Sequence, residues 1–237
     1  MRKDKFIELA RKSVCVDDEK LSFISTFENP LDAEIVAIIT AWLSNGSYNE
    51  LSTAQDIVAQ LTPTPYEFVK SSDALNVFED VDISINATMT LSHLHWLISK
   101  LHEYVTTRQR PIKDIFPLSD ALSSKKRHKR PHNYLCALLG GETGFQTKMG
   151  GGTFYRYYLL FYWLAYKTTI WQGVDTSRAL LPCNSVVFTN AYKLGIFKKP
   201  VLFCNIDKAI QLTSIARNWF GDEHFYLMYE YLNSYNA

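Results

Sequence analysis

The sequence predicts an all-α protein, and three observations carry that expectation. Apolar residues recur at three- and four-residue spacing over most of the chain, period-two alternation is nearly absent, and Gly, Pro, Asn and Asp stand where helices should start or stop. Hydrophobic residues make up 47% and charged residues 21%, which is enough to build a core and leaves little room for long disorder. At 237 residues the chain closes that core as one large domain or as two small helical lobes, without disulfide or metal staples.

The opening MRKDKFIELARKSV forms an amphipathic helix, since Glu8 and Arg11 interrupt it too soon for a signal peptide. Residues 32–45 place Ile35, Ile38, Ile39, Trp42 and Leu43 at helical spacing behind a capping Asn-Pro-Leu-Asp start, and Gly46 stops the run. Residues 50–61 repeat the pattern through Leu51, Ala54, Ile57, Val58 and Leu61; Pro63 and Pro65 follow, then a short helical turn over 66–70. A longer helix spans 89–106, with Leu91, Leu94, Leu97, Ile98, Leu101 and Val105 on its apolar face.

Residues 123–131 (SSKKRHKRP) are a basic run, and HNYLCALL after them is helical as far as Gly140 and Gly141. Residues 142–152 (ETGFQTKMGGG) are a loop, and Thr153 caps a helix, FYRYYLLFYWLAYK, too apolar around its circumference for the surface. A short helical segment over 175–181 ends at Pro182, and Asn184 caps SVVFTNAYKLG, which Gly195 closes. Two further helices near 207–220 and 222–233 are each opened by an Asp, and only 201–204 suggests a strand. The total is roughly eight to ten helices.

Several functional classes are excluded at this level. Cys15, Cys136, Cys183 and Cys204 form no CxxC pair, so they are expected to be reduced thiols in a cytoplasmic protein rather than zinc or iron–sulfur ligands. His93, His95 and His102 lack the further ligands zinc requires, so neither a metal nor another cofactor is expected. The most apolar windows fall short of the ~20 residues of a membrane span. With a formal net charge of +1, any case for a nucleic-acid partner has to be local.

Residues 171–196, WQGVDTSRALLPCNSVVFTNAYKLGI, resemble the stretch of the helix-hairpin-helix (HhH-GPD) DNA glycosylases in which Pro-x-Asp-x-x-Val leads a helix ending in Leu-Gly. More broadly, NPLDAEIVAIITAWLSNGSYNEL, TPYEFV, RYYLLFYWLAY and GVDTSRALLPCNSVVFTNAYKLGI, in that order, are similar to a bacterial family of unknown function within that superfamily. The resemblance implies a two-lobed helical fold with a central cleft. Residues 30–170 would form one lobe with a degenerate hairpin, and 171–237 the other, with residues 1–29 packing against it.

The departures bear directly on chemistry. The superfamily's catalytic carboxylate falls on Asn184. The position near the lysine nucleophile of bifunctional members falls on Tyr155, with Lys148 nearby in the glycine loop. The usual phosphate-gripping hairpin is absent, or replaced by Lys148, Gly150, Gly151, Gly152 and Thr153. N-glycosidic cleavage develops positive charge on the sugar, and an amide cannot stabilise it as a carboxylate does. Asn184 either caps its helix alone or caps it and also faces a ligand. The glycine run either offers backbone N–H groups to a phosphate or simply joins two helices. Lys125, Lys126, Arg127, Lys129 and Arg130 either contact a phosphate backbone or form a solvated loop.

The leading expectation is a protein of the base-excision DNA repair type that binds double-stranded DNA and is impaired in catalysis. The alternatives are a non-catalytic helical scaffold for protein–protein contact and an enzyme acting on a nucleoside-like small ligand. The oligomeric state is not written in the sequence.

Overall fold

A computed structural model of the chain describes residues 2–13, 17–44, 49–78, 83–86, 89–108, 111–113, 153–174, 176–177 and 179–235. The basic run, the HNYLCALL segment and the 142–152 loop lie outside the described residues. The protein is all-α in character. Ten α-helices are described: α1 (Lys3–Arg11), α2 (Asp18–Ser25), α3 (Pro30–Leu43), α4 (Asn49–Ala59), α5 (Pro65–Lys70), α6 (Leu91–Arg108), α7 (Tyr155–Phe161), α8 (Ser185–Lys193), α9 (Ile206–Phe220) and α10 (Tyr226–Ser234). α7 runs directly into a π-helical turn, Tyr162–Lys167.

Helix α3 is the centre of the molecule. Asn29 caps it by accepting the Leu31 N–H at 3.0 Å, Pro30 occupies the first turn, and every residue from 32 to 43 is buried. Fully burying each large side chain of its Ile35, Ile38, Ile39, Trp42 set stabilises the fold by about 1.5–3 kcal/mol. Asp32, expected to cap this helix, turns outward from its axis and accepts the Tyr66 N–H of α5 at 2.7 Å. It thereby satisfies a first-turn donor of a different helix.

At the other end of the chain, Phe6 of α1 packs edge-on against Trp219 (5.3 Å), Phe220 (6.3 Å) and Tyr231 (4.9 Å). α8 is held to α10 by Asn190, whose Nδ2 donates to the carbonyls of Leu232 and Tyr235, each at 2.8 Å. The buried side chains from Phe6 to Leu232 form one connected core cluster.

Four sequence expectations require correction. Thr153 does not cap α7: the cap position is Phe154, in the left-handed region at φ 56, and the Thr153 hydroxyl donates instead to the Cys183 carbonyl. The described residues of 175–181 are not helical. Their backbone is satisfied from α9, where Thr213 Oγ1 accepts the Leu181 N–H at 3.0 Å and Arg217 Nη2 donates to Thr176 O and Ala179 O. Residues 201–204 are not a strand; the small sheet is an antiparallel pair, Ser84–Asn86 with Met89–Thr90, ahead of α6. The last two helices are not opened by Asp. Asn205 caps α9 by accepting the Lys208 N–H at 2.9 Å, and Asp222 pairs with Arg217 in the turn before α10.

Among the described residues no helix is long and apolar enough to cross a membrane.

Candidate functional site

Asn184 is extended (φ −111, ψ −174) and its Oδ1 accepts the Val187 N–H at 3.0 Å, so it is the N-cap of α8. That satisfies one of the four donors a helix start leaves open. The residue is half-buried, and among the described residues no carboxylate hydrogen-bonds it. The preceding Cys183 is fully buried, and burial pushes its thiol far above the ordinary cysteine range, which makes it an inert apolar neighbour rather than a nucleophile.

The Thr153 hydroxyl donates to the Cys183 carbonyl, and this bond brings the start of the aromatic helix against the residue before Asn184. The left-handed Phe154 follows at once. A bulky residue in that region costs on the order of 1–2 kcal/mol, so its surroundings must hold it there.

Tyr155 is half-buried one residue further on and lies beside the Tyr229 hydroxyl, whose proton it helps to hold. Tyr229 in turn donates to Asp17 Oδ2 at 3.0 Å, and Lys20 Nζ lies 3.5 Å from Asp17 Oδ1. The position near the expected lysine therefore opens onto a buried polar chain, Tyr155–Tyr229–Asp17–Lys20. It joins α2, α7 and α10.

Sequence reasoning missed Asp17, Glu34 and Glu230 as buried carboxylates. For Glu34 a signal existed. It stands four residues before Ile38 on the face of α3 that the apolar spacing assigns to the core.

Of the proposed phosphate contacts, Thr153 is buried and engaged as described, whereas Lys148, Gly150, Gly151 and Gly152, with Lys125, Lys126, Arg127, Lys129 and Arg130, lie outside the described residues. The three histidines of α6 are structural anchors. His93 Nδ1 accepts the Thr90 N–H at 3.0 Å, and the Nδ1 atoms of His95 and His102 hydrogen-bond to Val77 O (3.2 Å) and Val69 O (2.8 Å). Among the described residues no group of three or more His, Cys, Asp or Glu side chains is placed to hold a metal ion. A concavity of 510 Å³ lies elsewhere, lined by Asp56 and Ile57 of α4 with Gln60, Phe78, Ser84 and Leu91; Asn184 is not part of it.

Fold and site together define a mostly helical protein whose α8 is capped by an amide beside a buried thiol. The chain belongs to the family described as protein of unknown function (DUF2400), which matches residues 20–222. No curated protein and no solved structure matches it.

Proposed function

We propose that this chain is a cytoplasmic DNA-binding protein of the glycosylase-like, base-excision type, with cleavage impaired by the amide at residue 184. The observation that carries the reading is the bond from Thr153 to the Cys183 carbonyl. It joins the two stretches that the helix-hairpin-helix resemblance assigns to gripping phosphate and to the sugar chemistry. Two further features support it. Asn184 is half-buried rather than sealed in the core, and the strained Phe154 lies between the two stretches, where stored backbone strain accompanies function in other proteins. In this reading the helices form two lobes, with α1 completing the C-terminal one, and the groove between them receives an extrahelical nucleotide. Asn184 offers it hydrogen bonds without charge.

A fluorescence-anisotropy titration with a duplex carrying an abasic-site analogue tests the proposal. Saturable binding that weakens steeply between about 50 mM and 200 mM salt is expected. Affinity no better than that of an unrelated neutral protein at low salt removes the proposal. Two variants separate capping from chemistry. Asn184→Ala loses the cap and about 1 kcal/mol of stability, whereas Asn184→Asp keeps it and changes urea stability by less than about 0.5 kcal/mol. The Asp variant also gains measurable base release. A folded Asn184→Asp protein that binds duplex and excises nothing from a panel of damaged bases argues against assigning the chemistry to this position.

A further inference from the structure

From 179 to 206 the chain carries Lys193, Lys198 and Lys199 and no Asp or Glu, within a protein whose formal net charge is only +1. The same stretch concentrates exposed apolar groups. Among the described residues Leu202 (81% exposed) and Phe203 (80%) stand out furthest, and Val186 (45%) and Tyr192 (42%) lie on α8 just before them.

The loop that presents Leu202 and Phe203 is anchored at both ends. Gly195, at φ 77, closes α8, and the N–H groups of Ile196 (2.9 Å) and Phe197 (3.3 Å) donate to Ala191 O. The Phe197 ring packs 6.1 Å from that of Phe188, and Asn205 caps α9 on the far side. Leaving a Leu or Phe in water forgoes the roughly 1.5–3 kcal/mol that its burial would contribute. Two such residues side by side, on a secured base and beside lysines, point to a partner that supplies both anionic and apolar surface.

We propose that the exposed face of α8 and the loop after it are a docking surface for duplex nucleic acid. Lys193, Lys198 and Lys199 meet phosphates, and Leu202 and Phe203 seat against sugars or a base step in the groove. The inference rests on the DNA-binding reading above and adds where the duplex lies. Charge complementarity supports that occupant, since the first carboxylate beyond the stretch is Asp207, in the first turn of α9. Geometry supports it as well. Val186 and Lys193 are seven residues apart on one exposed face, and the rise between them is about 10 Å, or roughly three base-pair steps. One duplex lying along that face therefore spans from Val186 to Lys193 and the lysines of the loop that follows. A lipid surface fits less well, because membrane binding scales with the apolar area inserted, and two side-chain tips insert little.

The test uses the full chain, the abasic-analogue duplex and three exposed-site variants that should fold and melt as the parent does. Lys198→Gln/Lys199→Gln should lower the slope of log affinity against log salt by nearly 2, at about 0.9 for each phosphate no longer neutralised. Lys3→Gln/Lys5→Gln, the same charge change on α1, should leave the slope unchanged. Leu202→Ser/Phe203→Ser should weaken binding about tenfold at constant slope. If the parent binds and the 198/199 and 202/203 variants match it, or if both lysine pairs lower the slope equally, the docking surface is overturned while the DNA-binding reading stands. If the parent does not bind duplex, both fall. Binding to phosphatidylcholine–phosphatidylserine vesicles that Leu202→Ser/Phe203→Ser abolishes, with duplex affinity untouched, assigns the loop to a membrane and overturns the inference.

Discussion

Glu34, only 3% exposed in the middle of α3, accepts the N–H groups of Ile112 (2.9 Å) and Lys113 (3.1 Å) and the indole N–H of Trp171 (2.7 Å). One carboxylate thus ties residues 112–113, beyond α6, to α3 and fixes the turn after the π-helical segment. Glu34→Ala strands three buried donors and opens a cavity, and should cost about 3–5 kcal/mol. Glu34→Gln keeps one acceptor oxygen but turns an NH2 toward a donor, so about 1–3 kcal/mol is expected. Urea unfolding measures both, and equal stabilities for parent and alanine variant would refute the assignment. At this scale the caps were legible in part. Asn29 and Asn184 could be read from the sequence because the Asn side chain meets its own helix within three residues. Thr153 could not, because its acceptor lies 30 residues away and local patterning carries no trace of that bond.

At the scale of the element, the aromatic run 154–167 was legible as a buried helix from its apolar circumference, yet its second half is π-helical. Over six residues a change of pitch leaves no readable period, so the reason is tertiary. The π turn sets Lys167 Nζ 2.7 Å from Glu230 Oε1, the oxygen that also accepts the Tyr162 hydroxyl at 2.6 Å. Around that junction Tyr162 packs on Tyr226 (5.0 Å) and Tyr229 (5.1 Å), and Tyr166 on Tyr226 (4.6 Å). Removing only the buried carboxylate, by Glu230→Leu, strands the buried Tyr162 phenol while the exposed Lys167 can turn to water, and should cost about 1–3 kcal/mol. Removing all three polar groups together, by Glu230→Leu/Lys167→Met/Tyr162→Phe, should recover a large part of that loss. The comparison is made by urea unfolding of single and triple variants, and strictly additive losses would show that the three groups do not act as a unit.

For the whole molecule, helical class followed from periodicity alone, whereas the arrangement of the helices did not. The hydrophobic pattern marks which face is buried without saying against which partner, and one connected core runs from Phe6 to Leu232. That core encloses Tyr158, Tyr226 and Tyr229. Burial is the first cause pushing each phenol above its ordinary range, and for Tyr229 the neighbouring Tyr155 and Asp17 push it the same way. A raised phenol holds its proton in the folded state at pH values where the unfolded chain has already released it. The unfolded state then binds fewer protons, so stability falls as pH rises. The contribution is complete below the ordinary tyrosine pKa of about 10 and is lost above it, by up to about 1.4 kcal/mol per pH unit for each of these groups. Urea unfolding should therefore show stability flat in these groups at neutral pH and dropping steeply from about pH 10 upward. Absorbance at 295 nm supplies the independent check, because of the 14 tyrosines these three should ionise only together with unfolding. A folded protein in which all 14 titrate in the ordinary range would mean that the aromatic centre is open to water and that the core drawn around α3 and α7 is wrong.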